Sequence, residues 1–191
     1  MNYLLKKIDK KIFFSIVIFL VLVIITFSTK YYGSTDIGDY TDSAKYFSGE
    51  YSAKIRNTHS YMYGFILSPL VKLTGNFVIF KILNLILILF LIYSIYKITK
   101  KKEAIYLTLL SPALWYIAPW ATPILLSSVF LLWAFYFIEK YEITNKLSSL
   151  LYSGIFIGLA LIFWDTILYL GAFIGLAYLY NKKLYNIIPF L

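Results

Sequence analysis

Cysteine is absent from this chain of 191 residues, and histidine and arginine occur once each, as His59 and Arg56. The first absence removes disulfides, thiol nucleophiles and thiolate-bound metals. The single imidazole removes any site built from several histidines. Carboxylates are scarce as well, with 9 Asp+Glu against 18 Lys+Arg. The net charge of +9 is carried almost wholly by lysine, whereas base and phosphate readout leans on arginine. The surplus is therefore not a nucleic-acid signal.

What fills the chain is apolar. Hydrophobic residues make up 61%, aromatics 20%, and the mean hydropathy is +0.76, beyond the roughly 45–50% apolar share of soluble domains. An all-α, polytopic transmembrane helical bundle of six to seven spans follows, organised as one transmembrane domain over residues 1–191. At about 20 residues per span, helices are expected near 11–29, 77–98, 104–118, 122–138, 147–164 and 167–181. Pro119 and Pro123, in APWATP, turn the chain between the third and fourth. The first run, preceded by Lys6, Lys7, Lys10 and Lys11 and lacking a small-residue cleavage site, reads as a retained signal anchor. The last apolar stretch, Leu184–Leu191, reads as a seventh span only beginning, so that a further C-terminal segment or a partner subunit is expected.

Orientation follows from where the lysines fall. Lys6, Lys7, Lys10 and Lys11, then Lys97 and Lys100 to Lys102, then Lys140 and Lys146, then Lys182 and Lys183 all fall on one side of these spans. That side is read as cytoplasmic, in a multi-pass protein of the cell membrane. The long segment 30–76, the APWATP turn and the turn Phe163–Thr166 then face outward together. The long loop is too rich in Tyr, Phe and Ile to be a disordered tether. Ile37, Tyr40, Ala44 and Phe47 recur at helical spacing, with Asp36, Asp39 and Asp42 on a neighbouring arc. The expectation is an interfacial helix, apolar face down and carboxylates towards water. A second interfacial or re-entrant helix is expected over Ser60–Leu73, interrupted by Pro69 and ended at Gly75.

This outer loop holds most of the residues able to do chemistry. Asp36 and Asp39 stand three apart and so point to one side of a helix. One of them could deprotonate a hydroxyl, and the pair could hold a divalent cation, Mg or Mn. The blander alternative makes them helix caps. Lys54, Arg56 and His59 follow in SAKIRNTHSYMYG, cations suited to a phosphate or simply to lipid headgroups. Asp165, in FWDT, is either a substrate contact or a cap of the next helix. Lys81 and Asn84 read as a snorkelling anchor and an interhelical hydrogen bond. Trp115, Trp120 and Trp164 read as an interfacial belt. The small-xxx-small spacing of Gly154, Gly158, Gly171 and Gly175 reads as tight helix packing.

The segments TDIGDYTDSAKYFSGEY and HSYMYGFILSPLVKLTGN, set between a signal anchor and a series of spans, resemble the GT-C superfamily of membrane glycosyltransferases. TDIGDY is similar to the acidic motif of mannosyltransferases acting early in glycosylphosphatidylinositol assembly. APWATPILLSSVFLLWAFYFIEK and YSGIFIGLALIFWDTILYLGAFIGLAYLYNKK resemble the family's middle spans. The chain departs from the pattern at Trp164–Asp165, where many relatives carry Lys, and relatives are longer. The resemblance implies inverting transfer of a sugar from a polyprenyl- or dolichyl-phosphate carrier to an acceptor hydroxyl on the outer face. Asp36 would be the first candidate base, and Asp39 the second or a metal ligand. Lys54, Arg56 and His59 would offset charge on the departing phosphate, with Asp165 a further substrate contact. A non-catalytic polytopic protein, acting as a scaffold or handling lipid-linked intermediates, is the alternative that the same topology allows.

Overall fold

Long apolar runs without an internal glycine or proline give the helices α1 (Lys10–Ser28) and α4 (Val78–Thr99). Their backbone groups are satisfied within the segment, which a bilayer demands. The computed structural model describes residues 10–29, 35–53, 55, 61–167 and 169. The other described helices are α2 (Thr35–Ser48), α3 (Met62–Thr74), α5 (Lys102–Leu109), α6 (Pro112–Ile117), α7 (Ile124–Thr144) and α8 (Leu147–Phe163). Every regular element among the described residues is helical. Three helices, α1, α4 and α7, are long and apolar enough to cross a membrane, and α8, with 17 residues, is apolar but shorter. Six or seven spans are thus not reached among the described residues, and the helix expected over 167–181 lies almost wholly outside them.

Two prolines act differently from expectation. Pro112 divides the span expected at 104–118 into α5 and α6. Ser111, the residue before it, is extended, and Pro112 occupies the first position of α6, where its missing N–H costs nothing. The indole Nε1 of Trp115 reaches back to the Leu109 carbonyl at 2.6 Å, closing the corner. Pro69, in contrast, does not interrupt α3, which runs through it. Proline at 69 deprives the Phe65 carbonyl of its usual partner, and the Ser68 hydroxyl donates to that same carbonyl at 2.7 Å. Helices α3, α4 and α7 each end on a left-handed residue, Gly75, Lys100 and Asn145, whose N–H returns to the carbonyl four residues back.

Helix α4 lies at the centre. On one side Leu87 and Ile88 pack with Ile18 and Leu22 of α1 and with Leu109, Leu114 and Ala118. On the other, Ser94 Oγ accepts from Trp133 Nε1 of α7 at 3.0 Å. Helices α7 and α8 form an antiparallel hairpin of stacked rings, Phe130 on Phe163 and Phe137 on Phe156. The Ser127 hydroxyl fastens the same pair by donating to the Ala160 carbonyl at 3.2 Å. Gly154 and Gly158 are not at a close packing contact: a Cβ on either would meet nothing within 4 Å among the described residues.

Among the described residues, Lys11, Lys97, Lys100, Lys101, Lys102, Lys140 and Lys146 share one end of the bundle, and Lys6, Lys7, Lys182 and Lys183 lie outside those residues. Lys11 pairs with Glu103, which joins the start of α1 to the start of α5. Lys97, in the last turn of α4, lies over the ring of Trp133 in the middle of α7.

Candidate functional site

The opposite end is covered by a lobe made of α2 and α3. Tyr40 and Ala44, one turn apart on α2, are buried in a cluster with Tyr63, Leu67 and Val71 of α3. Phe80 of α4, Ala121 of the α6–α7 turn and Phe163 of α8 complete it. The three segments expected to face outward therefore meet in one core. The short helix expected in the loop is present, but its apolar face is covered by protein rather than left for lipid.

Glycine makes this docking possible. A Cβ on Gly64 would lie 2.7 Å from Ser43 Cβ and from the Tyr40 carbonyl oxygen, and 2.8 Å from the Ala44 nitrogen. Two of those atoms are backbone, so α2 and α3 touch at a spot where only hydrogen fits. Tyr40 and Tyr63 then meet edge to face at 5.8 Å between centroids, a favoured geometry for aromatic pairs. Gly64 drew no attention in the sequence, because a glycine within an apolar run carries no signal of what it faces.

Asp39 is 5% exposed. That corrects the expectation that all three acids face water. It also removes the capping explanation for Asp39, which lies one turn inside α2 rather than at its N-cap. Among the described residues Asp39 is the only buried carboxylate and Lys81 the only buried ammonium, and burying a charge is expensive unless something compensates it. Its neighbours along α2 are polar and buried: Ser43, whose hydroxyl donates to the Asp39 carbonyl at 2.7 Å, and Thr41, which donates to Gly38 at 3.0 Å. Asp42 does face solvent, paired at 3.8 Å with Lys45, an exposed pair that contributes little. Lys45 also lies 5.2 Å above the Phe77 ring.

Asp36 falls in the first turn of α2, with its side chain outside the described part of the structure. Lys54, Arg56 and His59 also lie outside the described residues. Asp165 is exposed beside Phe163, at the same end as α2. Its Oδ1 accepts from the Thr166 N–H at 2.9 Å, a bond within its own turn. No three His, Asp or Glu side chains come together among the described residues.

Asn84 and Lys81 are also deeply placed at this end. The Asn84 amide donates to the Ala118 carbonyl at 3.1 Å and to that of Trp120, so its partner is the α6–α7 turn rather than the side of a helix. Lys81 does not snorkel outward. It is 5% exposed and donates to the carbonyls of Thr26 and Thr29 at the end of α1. Comparison of the chain with models of protein families, with curated proteins and with solved structures gives no match.

Proposed function

We propose that the chain is a polytopic membrane glycosyltransferase of the GT-C type, with six to seven spans, the lysine-rich end in the cytoplasm and the α2–α3 lobe outside. Asp36 or Asp39 takes the proton of an acceptor hydroxyl as the hydroxyl oxygen attacks the anomeric carbon of the donor sugar. The bond from that carbon to the phosphate oxygen breaks on the opposite face, giving inversion. Its electron pair leaves with the polyprenyl phosphate. Lys54, Arg56 and His59 offset the charge that develops there, as donors aimed at a leaving group do. Asp165, on the same end of the bundle, is available to a sugar hydroxyl.

One observation carries this reading. A carboxylate-bearing helix is docked onto the bundle through Gly64 and Tyr40, with Asp39 inside the lobe. A solvated loop serving only as a connector has no need to bury an acid that does not cap its helix. A general base must be held within hydrogen-bond reach of the proton it removes, and a docked helix supplies such a fixed mount.

The test is transfer of labelled sugar from a polyprenyl-phosphate donor in membranes containing the chain, comparing wild type with Asp36→Asn and Asp39→Asn. Loss of the base should lower the rate by about two to four orders of magnitude with expression unchanged. Near-normal transfer in both variants removes the carboxylate mechanism. A wild-type chain without transfer under any donor leaves the non-catalytic reading, a scaffold or handler of lipid-linked intermediates.

A further inference from the structure

The lysine-rich end carries a second, independent arrangement. Lys97 of α4 has its ammonium 5.2 Å from the centroid of Trp133 and 5.9 Å from that of Tyr93. Lys140 of α7 has its ammonium 5.9 Å from the centroid of Phe137. Trp133 and Phe137 are one turn apart on α7, with centroids separated by 6.2 Å, and Trp133 is tied to α4 through Ser94. Two adjacent membrane-crossing helices thus raise one cation each, over neighbouring rings, at the same end.

Both lysines are exposed, and among the described residues neither forms an ion pair. The acids nearby on the same end are Glu103, already held by Lys11, and Glu139 and Glu142. Lys100, Lys101, Lys102 and Lys146 add to the positive excess there. Lys97 lies in the last turn of α4 and Lys140 one turn before the end of α7, and lysines near the ends of spans reach the headgroup level of a bilayer, where lipid phosphates lie. Helix C-termini repel anions, and an anion will settle there only where cations outweigh that field, as Lys97 and Lys140 do together with the surplus of Lys100, Lys101, Lys102 and Lys146 over Glu139 and Glu142.

We infer that Lys97 and Lys140, with Trp133, Tyr93 and Phe137, form a binding site for the phosphate of an anionic phospholipid at the end of the bundle opposite α2. The site requires only a bilayer around the helices and does not depend on the transferase reading. The aromatic rings take the glycerol and upper acyl region, and the two ammonium groups take the phosphate.

The experiment places the full chain in nanodiscs of equimolar phosphatidylcholine and phosphatidylglycerol and counts the lipids retained by native mass spectrometry. Wild type should retain phosphatidylglycerol in preference. The Lys97→Gln/Lys140→Gln double variant should lose about an order of magnitude of that preference, the scale expected for two lysines at an anionic surface. Lys97→Arg/Lys140→Arg should keep it. A wild type without preference overturns the site. So does an equal loss in Lys100→Gln/Lys101→Gln, which would assign the effect to the basic end as a whole. Displacement of the retained lipid by inorganic phosphate at equal concentration also overturns it, because the rings would then contribute nothing.

Discussion

The Lys81 ammonium, on α4, donates to the Thr26 carbonyl of α1 at 2.9 Å. With its second bond, to Thr29, Lys81 closes the C-terminal turn of α1, whose carbonyls have no partner in their own helix. Only residues 30–34 separate this anchored end from α2. The position of α1 therefore limits where the acidic helix can begin, and Lys81 sets that position from another helix.

Lys81→Met should consequently loosen α1. Leaving buried carbonyls unpaired costs about 1–3 kcal/mol, which for a chain of this size is a fall in melting temperature of roughly 2–10 °C. Thermal unfolding in detergent, followed by near-ultraviolet circular dichroism, measures it. A Lys81→Met protein as stable as wild type would show that these bonds add nothing.

Two glycines of the lobe should respond in opposite directions to alanine. At Gly64 the added methyl meets the backbone of α2, and such overpacking costs about 1–3 kcal/mol. At Gly38, inside α2, a Cβ meets nothing within 4 Å among the described residues, and alanine in a helix interior gains about 0.5–1 kcal/mol. Limited proteolysis of the loop should be faster in Gly64→Ala and slower in Gly38→Ala. The same direction of change in both would contradict the docking geometry.

Asn84→Leu should displace the α6–α7 turn. The amide is fully buried and donates to the Ala118 and Trp120 carbonyls. Its removal leaves buried acceptors unsatisfied at a cost of about 1–3 kcal/mol. The indole of Trp120 lies at this turn, so a shift in tryptophan emission should accompany the lost stability. Stability and emission unchanged from wild type would contradict the tie.

Side assignment can be measured without background, because the chain has no cysteine. Single cysteines at the exposed positions Glu50 and Thr166 should react with an impermeant thiol reagent in intact cells, and one at exposed Thr99 should not. Reaction at Thr99 with protection at Glu50 would invert the proposed orientation.

Much of the helical framework was legible in the sequence, because it rests on local facts. An apolar run of about 20 residues without a breaker has one stable solution in a bilayer. Expected boundaries at 11–29, 77–98 and 147–164 accordingly lie within one residue of α1, α4 and α8. The helical spacing of Tyr40 and Ala44 likewise marked α2, and the shared end of the described lysines followed from counting spans. What packs against these elements was not legible. Whether a proline ends a helix depends on whether another group takes the abandoned carbonyl. Ser68 does so for Pro69, while Trp115 instead secures the corner that Pro112 opens. The burial of Tyr40 and Ala44 depends on α3 approaching α2 across the hydrogen of Gly64. The roles of Lys81 and Asn84 depend on carbonyls more than 30 residues away in the chain. Periodicity records which residues share a face, but a buried polar group is decided by partners distant in sequence, and only the tertiary structure brings those partners together.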